Sequence, residues 1–158
     1  MNERHHPGAI TDFPLAWRWT SPTHAVLSPA ELAALKPCSS DETARIYERS
    51  LRFETADGLA PAEFETVLTQ SADISGADGC SWLRAQAGDL EEQITVLWQR
   101  DIALRTTWEL FTTRWDDFCY PSSDDVFVLP DSEKWVLRYH HEDIFFFGLP
   151  KHLTRRCS

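Results

Sequence analysis

The residue types best suited to chemistry in this chain of 158 residues stand together in the run His140-His141-Glu142-Asp143. Two imidazoles and one carboxylate form the ligand set of many transition-metal sites. Neighbouring residues of a strand point to opposite faces, however, so both rings reach one ion only if the turn rotates one of them. We therefore expect a solvated turn with no bound metal and no other cofactor. A contact with a partner is the other interpretation of the run.

A cysteine is the second candidate for chemistry. Cys119 could be a nucleophile if His140 or His141 lay beside it across the sheet, because a thiolate needs a basic neighbour. Its sequence neighbours Phe118 and Tyr120 favour instead a buried thiol at the end of a helix. All the thiols are expected to be reduced, because the four cysteines lie far apart in sequence and contain no close metal-ligating pair: Cys38, Cys80, Cys119 and Cys157.

Paired carboxylates are the third candidate, because two acids that flank a scissile bond can catalyse hydrolysis. The pairs are Asp116/Asp117, Asp124/Asp125 and Glu142/Asp143. With 25 acidic residues in the chain, such pairs also arise by chance. The sequence thus predicts no catalytic residue, and a small enzyme that uses His140, His141 or Cys119 is the alternative.

The chain is strongly acidic, with a net charge of −10 at pH 7. Segment 116–143 contains eight acidic and two basic residues, so it carries −6 of this charge. Such a balance repels phosphate backbones and anionic lipid and attracts cationic partners. We therefore expect no nucleic acid and no membrane as a ligand, and a basic protein as the partner. The predicted partner-binding positions lie in turns of this segment: Asp124, Asp125, Asp131, Glu133, Glu142 and Asp143.

Several helices are predicted to position these residues. Ser28 and Ser39 each begin a capping box and are expected to open short helices. A third helix is expected after Pro61, where three apolar residues keep helical spacing: Phe64, Val67 and Leu68. Segment 71–79 is small and polar and predicts a loop. The clearest helix is predicted over 106–118, with aromatic residues that form the core: Trp108, Phe111, Trp115 and Phe118.

Strands are predicted on both sides of these helices. Segment 15–20 predicts a strand that carries Trp17 and Trp19 on one face, either in the core or as an exposed anchor. Four further strands are expected near 94–99, 125–129, 134–140 and 143–147. Tight turns connect the last three, which implies antiparallel neighbours. The expected fold class is α+β, with an antiparallel sheet of about four to five strands packed against several helices.

The length of the chain predicts a single domain over residues 1–158. Its ends are expected to be a loose arm at 1–13 and a basic tail at 151–158, the latter containing Lys151, Arg155 and Arg156. No stretch approaches the roughly 20 apolar residues of a membrane helix. The expected compartment is the cytoplasm.

A family resemblance supports this interpretation. The motifs that carry it are Trp17-x-Trp19, Leu32-x-x-Leu35-Lys36-Pro37, Trp108-x-x-Phe111-x-x-x-Trp115-x-x-Phe118 and Phe147-Gly148. Together they loosely resemble a small bacterial family catalogued as a domain of unknown function, and they are packing motifs. In size, acidity and tryptophan content the chain is also similar in class to cytoplasmic immunity proteins of bacterial toxin systems.

The function expected from these observations is non-enzymatic binding. The acidic turns would steer the chain toward the basic active site of a cognate bacterial toxin and occlude it, as an immunity protein does. Besides the enzyme described above, a structural module that self-associates through Trp17 and Trp19 is the remaining alternative.

Overall fold

The computed structural model of the chain describes residues 10–151. Six α-helices lie in this range: α1 (Trp17–Thr20), α2 (Pro29–Ala33), α3 (Ser40–Leu51), α4 (Gly76–Gln86), α5 (Trp108–Thr113) and α6 (Trp115–Phe118). The serine caps predicted for α2 and α3 are confirmed, since Ser28 accepts from the Glu31 N–H and Ser39 from the Glu42 N–H. None of the helices in residues 10–151 has the length and apolar character needed to cross a membrane.

The same residues form nine strands: β1 (Lys36–Pro37), β2 (Glu54–Thr55), β3 (Gly58–Leu59), β4 (Phe64–Ser71), β5 (Gln93–Gln99), β6 (Ile102–Thr107), β7 (Val126–Pro130), β8 (Val136–His140) and β9 (Ile144–Pro150). Seven of them form one antiparallel sheet in the order β1-β6-β5-β7-β8-β9-β4, while β2 and β3 form a separate hairpin. The α+β class is confirmed. The sheet is larger than expected because β1, β4 and β6 join the four strands that the sequence predicted.

The three consecutive strands β7, β8 and β9 are neighbours in the sheet, as the turn chemistry predicted. Glu133 in the first turn and Asp143 in the second have φ values of 59° and 64°. Backbone in this left-handed region reverses the chain within a few residues. The two turns therefore lie at opposite ends of β8, a separation that matters for the acidic side chains they carry.

The strand predicted at 15–20 is wrong, because Trp17–Thr20 forms α1. A strand would place both indoles on one face, whereas the helix turns them apart. Trp19 is consequently fully buried, while Trp17 is 42% exposed. Arg18 between them is buried as well, and its partner is described below.

The helix predicted after Pro61 is also wrong. Pro61–Glu63 forms a single 3-10 turn, and the following residues form β4, which pairs with β9 along its length. β-branched residues such as Thr66 and Val67 favour a pleated strand over a helix. The predicted loop at 71–79 is shorter than expected, since Ser75 caps α4 and the helix begins at Gly76.

Apolar side chains cover both faces of the sheet. The larger cluster packs α1, α4, α5 and α6 on one face, and it contains the predicted core residues Trp108, Phe111, Trp115 and Phe118. The smaller cluster lies under the β2–β3 hairpin, with Phe53 and Leu59 packed on Leu97 and Phe127. A sheet covered on both faces explains why β5, β7 and β8 are apolar along most of their length.

The chain termini are described in part. Ile10–Asp12 forms a 3-10 turn, and Phe13 is buried with its ring 6.1 Å from Trp19 and 5.9 Å from Trp98 between centroids. The loose arm therefore does not extend to residue 13. Residues 1–9 and 152–158, which include most of the predicted basic tail and Cys157, lie outside the described residues.

Candidate functional site

The turn between β8 and β9 brings Asp125, His140 and His141 together. One oxygen of Asp125 and one nitrogen of each imidazole lie within 4.8 Å of one another. The two rings are 4.1 Å apart between centroids, with 30° between their planes. Strand alternation does not separate the rings, because His140 ends β8 whereas His141 already belongs to the turn. The geometric reason for expecting no metal at these residues is therefore wrong.

His140 is held by hydrogen bonds from two directions. Its Nε2 lies 2.9 Å from the carbonyl oxygen of Ala56, in the β2–β3 hairpin, and its Nδ1 lies 3.2 Å from the backbone N–H of Glu142. A carbonyl can only accept, so Nε2 carries the proton and Nδ1 accepts from Glu142. His140 as a whole is 5% exposed. This pattern fixes both the tautomer and the orientation of His140.

Asp125 accepts hydrogen bonds from both the backbone and the ring of His141. The backbone N–H and Nδ1 of His141 each lie 3.0 Å from Oδ1 of Asp125. Burial alone raises the pKa of Asp125, but these hydrogen bonds, with Arg138 at 4.0 Å, lower it below its ordinary value. Asp125 is thus a carboxylate at neutral pH, and it orients an imidazole that is about half exposed.

Arg138 lies beside Asp125, on the wall of a cavity of about 190 Å³. Its side chain is 96% buried, and Nη2 donates to Glu54 over 3.5 Å. The guanidinium carbon is 4.6 Å from the centroid of Phe127, and Nε has no hydrogen-bond partner among the described residues. Two nearby carboxylates offset the buried positive charge, so the cavity does not present a free cation to an anionic ligand.

Cys119 does not have the surroundings of a nucleophile. It is 2% exposed, and burial raises its pKa well above the ordinary value, with the negative charge of Asp124 acting in the same direction. Neither His140 nor His141 donates to its sulfur or accepts from it in the described residues. Burial also raises the pKa of Cys38, to about 11. The described cysteines Cys38, Cys80 and Cys119 are all free thiols.

Asp124, one of the six predicted partner-binding residues, is not accessible. It is 8% exposed, and Nη1 and Nη2 of the buried Arg18 donate to its two oxygens over 2.6 and 3.1 Å. The backbone N–H of Tyr120 donates to Oδ2 over 2.8 Å. The expectation that Asp124 is reachable in a turn is therefore wrong, because its carboxylate neutralises a buried guanidinium and holds the start of the 120–125 loop.

The other five predicted acids are divided between the two ends of β8. Asp131 and Glu133 lie in the β7–β8 turn and form ion pairs with Arg105 at 2.6 Å and Arg49 at 2.7 Å. The other three acids lie at the opposite end: Asp125, Glu142 and Asp143. Asp143 accepts a hydrogen bond from the Tyr139 hydroxyl over 2.7 Å, and Glu142 is exposed. A strand of five residues separates the ends by roughly 17 Å. The six acids do not form one face.

A different surface combines exposed and half-buried aromatic rings with acidic side chains. Trp17, His24 and Tyr120 have centroids 4.7 to 6.3 Å apart. Asp116 and Asp117 on α6 contribute negative potential at Tyr120 and form no ion pair with a described residue at hydrogen-bonding distance. We name these five residues the aromatic–acidic surface.

Arg18 connects this surface to the core. Its guanidinium carbon lies 4.0 Å from the centroid of Tyr120 and 5.3 Å from that of Trp17, in cation–π contact with both. Nη1 also donates to the carbonyl of Phe118 at the end of α6. The rings of Trp17 and Tyr120 are therefore held in place by a buried ion pair.

Sequence reasoning identified Trp17 as a candidate anchor but missed His24 and Tyr120. They are far apart in sequence and meet because α1 packs against α6. Arg18, between Trp17 and Trp19, was the sequence signal that could have led to this surface. If the segment is part of the core, a charged residue there needs a buried partner of opposite charge. Comparison with protein-family models, with curated proteins and with solved structures finds no match for this chain.

Proposed function

We propose that this chain is a non-enzymatic, acidic binding protein of the bacterial cytoplasm, most concretely an immunity protein that neutralises a cognate toxin by covering its basic active site. The observation that carries the proposal is the aromatic–acidic surface of Trp17, His24, Tyr120, Asp116 and Asp117. It joins rigid aromatic anchors to carboxylates without an ion-pair partner in the described chain.

The electrostatic part of the argument rests on Asp116 and Asp117. Burial raises the pKa of Asp117, and the neighbouring charge of Asp116 raises it further, while Arg114 lowers it. Arg114 is already bound to Glu31 through Nε at 3.1 Å. A cationic side chain from a partner would relieve the repulsion between the two aspartates, so this pair favours lysine or arginine on the other protein.

The aromatic part of the argument rests on Trp17 and Tyr120. Tryptophan and tyrosine are enriched among the residues that dominate binding energy at protein interfaces. Trp17 is 42% exposed although its ring is fixed by contacts with His24, Tyr120 and Arg18. A ring that is already ordered loses little conformational entropy on binding. Trp19, being fully buried, takes no part in such a contact.

Two of the acids predicted from sequence extend this surface. The carbonyl of Asp143 accepts from the backbone N–H of Ala72, and the carboxylate of Asp116 lies beside Gly76, so both residues border the segment that leads into α4. Glu142, next to Asp143, is exposed and forms no ion pair with a described residue. Asp131 and Glu133 lie at the far end of β8 and are neutralised by arginines, so we assign them no role in binding.

The test is protection of cells from a toxin. A cationic toxin encoded beside the gene for this chain should stop growth when expressed alone, and co-expression of this chain should restore growth. Trp17→Ala should weaken the protection, because it removes the central anchor. Leu149→Ala is the matched control, since Leu149 is 43% exposed on β9 and lies outside the aromatic–acidic surface.

Three results would count against the proposal. The first is full protection by the Trp17→Ala variant, and the second is equal loss of protection in Leu149→Ala. The third is turnover of a substrate by the purified chain with no partner present, which would favour the enzyme alternative.

A further inference from the structure

We propose that Asp125, His140 and His141 bind one divalent transition-metal ion of the zinc type, through ligands that are not among the five residues of the aromatic–acidic surface. Their three ligand atoms lie within 4.8 Å of one another. Zinc binds nitrogen and oxygen ligands at about 2.0–2.2 Å, which places neighbouring ligand atoms roughly 3.4 Å apart in a tetrahedron. Nδ1 of His141 and Oδ1 of Asp125 are already 3.0 Å apart. No two of the three ligand atoms therefore need to approach each other by more than roughly 1.4 Å.

His140 is already oriented as a ligand. An imidazole that binds a metal almost always donates its second N–H to a carbonyl or a carboxylate, which fixes its tautomer. Nε2 of His140 makes this contact with the Ala56 carbonyl at 2.9 Å. Nδ1 is then the ligand atom, and its present contact with the Glu142 N–H is long, at 3.2 Å. Metal binding at Nδ1 would release this part-buried N–H, which would then need water as its acceptor.

The charges around the three residues favour a cation. Asp125 lies 3.0 Å from both the backbone N–H and Nδ1 of His141, and Glu142, the next residue along the chain, is exposed. Arg138, the opposing cation, is 4.0 Å from Asp125 but also lies 3.5 Å from Glu54. The negative charges of Asp125, Glu142 and Glu54 outnumber the single positive charge of Arg138. A divalent cation would therefore bring the local charge closer to balance.

The ligand types select the metal. Two imidazole nitrogens and one carboxylate oxygen suit zinc, cobalt or nickel, whereas magnesium and calcium prefer oxygen ligands throughout. The side chains of His141 and Asp125 are 46% and 44% exposed. A fourth position therefore faces solvent and would hold water, as in zinc sites with three protein ligands. When His141 binds through Nδ1, its ring proton must reside on Nε2.

The experiment titrates the metal-free full-length chain with zinc chloride by calorimetry, and with cobalt(II) by visible absorption. His5, His6 and His152 are replaced with alanine in every variant, because imidazoles there could bind zinc on their own. One zinc per chain is expected. His141→Ala and Asp125→Asn should each weaken binding at least tenfold. The matched control His24→Ala, which removes an exposed imidazole of the aromatic–acidic surface, should leave it unchanged.

The cobalt spectrum provides a readout that does not depend on heats of binding. Tetrahedral cobalt bound by these residues should absorb in the visible, and the absorption should disappear in His141→Ala. Circular dichroism checks that each variant is folded. Absence of zinc binding in the parent chain, or His141→Ala and Asp125→Asn variants that bind as tightly as the parent, would overturn the proposal. So would a His24→Ala variant that loses as much affinity as His141→Ala.

Discussion

Nη1 of Arg18 lies 2.6 Å from Oδ2 of Asp124, and both side chains are buried. The pair joins α1 to the loop that follows α6, and Tyr120 is held by Asp124 through its backbone and by Arg18 through its ring. We expect Asp124→Ala to lower the free energy of unfolding by about 3–5 kcal/mol, because it leaves an uncompensated guanidinium in the core. Urea denaturation followed by tryptophan fluorescence measures this change.

The control is an ion pair of similar length on the surface. Glu133 and Arg49 are 2.7 Å apart, but both side chains are more than 40% exposed. Glu133→Ala should therefore cost about 1 kcal/mol or less. Equal effects of the two substitutions would contradict the assignment of Asp124 as a structural residue.

The contact between Gly79 and Trp115 provides a second prediction. A Cβ atom on Gly79 would lie within 3.0 Å of the indole of Trp115. Gly79→Ala should consequently destabilise the protein by roughly 1–3 kcal/mol through overpacking, even though alanine in a helix is otherwise favoured by about 1 kcal/mol. Thermal or urea denaturation gives the difference between the variant and the parent.

A double-mutant cycle isolates this contact. Trp115→Ala alone should cost about 3–5 kcal/mol, as a buried aromatic does. In the Trp115→Ala background the added methyl has room, so Gly79→Ala should no longer destabilise. If Gly79→Ala costs as much with and without the indole, the packing of α4 on α6 differs from the one described.

The helix predicted over 106–118 is interrupted at Arg114 and forms two short helices, α5 and α6. The helical character of this segment and the strands β5, β7, β8 and β9 could be predicted because their signals are local. Capping, apolar spacing and turn residues act over a few positions, and each agrees with the tertiary contacts. β4 could not be predicted in the same way, since its apolar residues fit a helix or a strand and pairing with β9 decided between them.

For the candidate site, the sequence predicted which residue types could act but not how they are arranged in space. That His140 and His141 are the metal-capable residues follows from the sequence, but their convergence depends on a turn geometry and on the carbonyl of Ala56, distant in sequence. Asp124 and Asp125 are identical in type and adjacent, yet one is buried and the other half exposed. Charge counting cannot distinguish them, because the difference arises from Arg18, about a hundred residues away.

A pH dependence follows from the raised pKa of Asp117. Burial and the charge of Asp116 make ionisation of Asp117 less favourable in the folded chain than in the unfolded one. Stability is therefore lost as the pH rises from the ordinary value of 3.8 through the folded-state pKa. Asp117→Asn should raise the melting temperature at pH 7, and the gain should vanish below pH 3.8, where the carboxyl is protonated in both states. A lower melting temperature at pH 7 would contradict this.

The thiol of Cys119 should be unreactive in the native protein. Burial excludes reagents and raises the pKa of the thiol, so very little thiolate is present at pH 8. Iodoacetamide should modify Cys119 only after denaturation, as peptide mass mapping would detect. Half-buried Cys80 is the internal comparison and should react sooner. Rapid native labelling of Cys119 would revive its interpretation as a nucleophile.

The most direct test of the proposed function is the rate of association with a cationic toxin that this chain protects against, measured by stopped flow over a range of salt concentrations. Asp116→Lys/Asp117→Lys should slow association about tenfold or more at low salt, and the effect should fade toward 1 M, where the Debye length is about 3 Å. Asp89→Lys/Glu91→Lys changes the net charge equally at exposed positions outside the aromatic–acidic surface, and it should slow association far less. The proposal of a specific acidic binding surface would be contradicted if both double variants slowed association equally, or if Asp116→Lys/Asp117→Lys did not slow it at all.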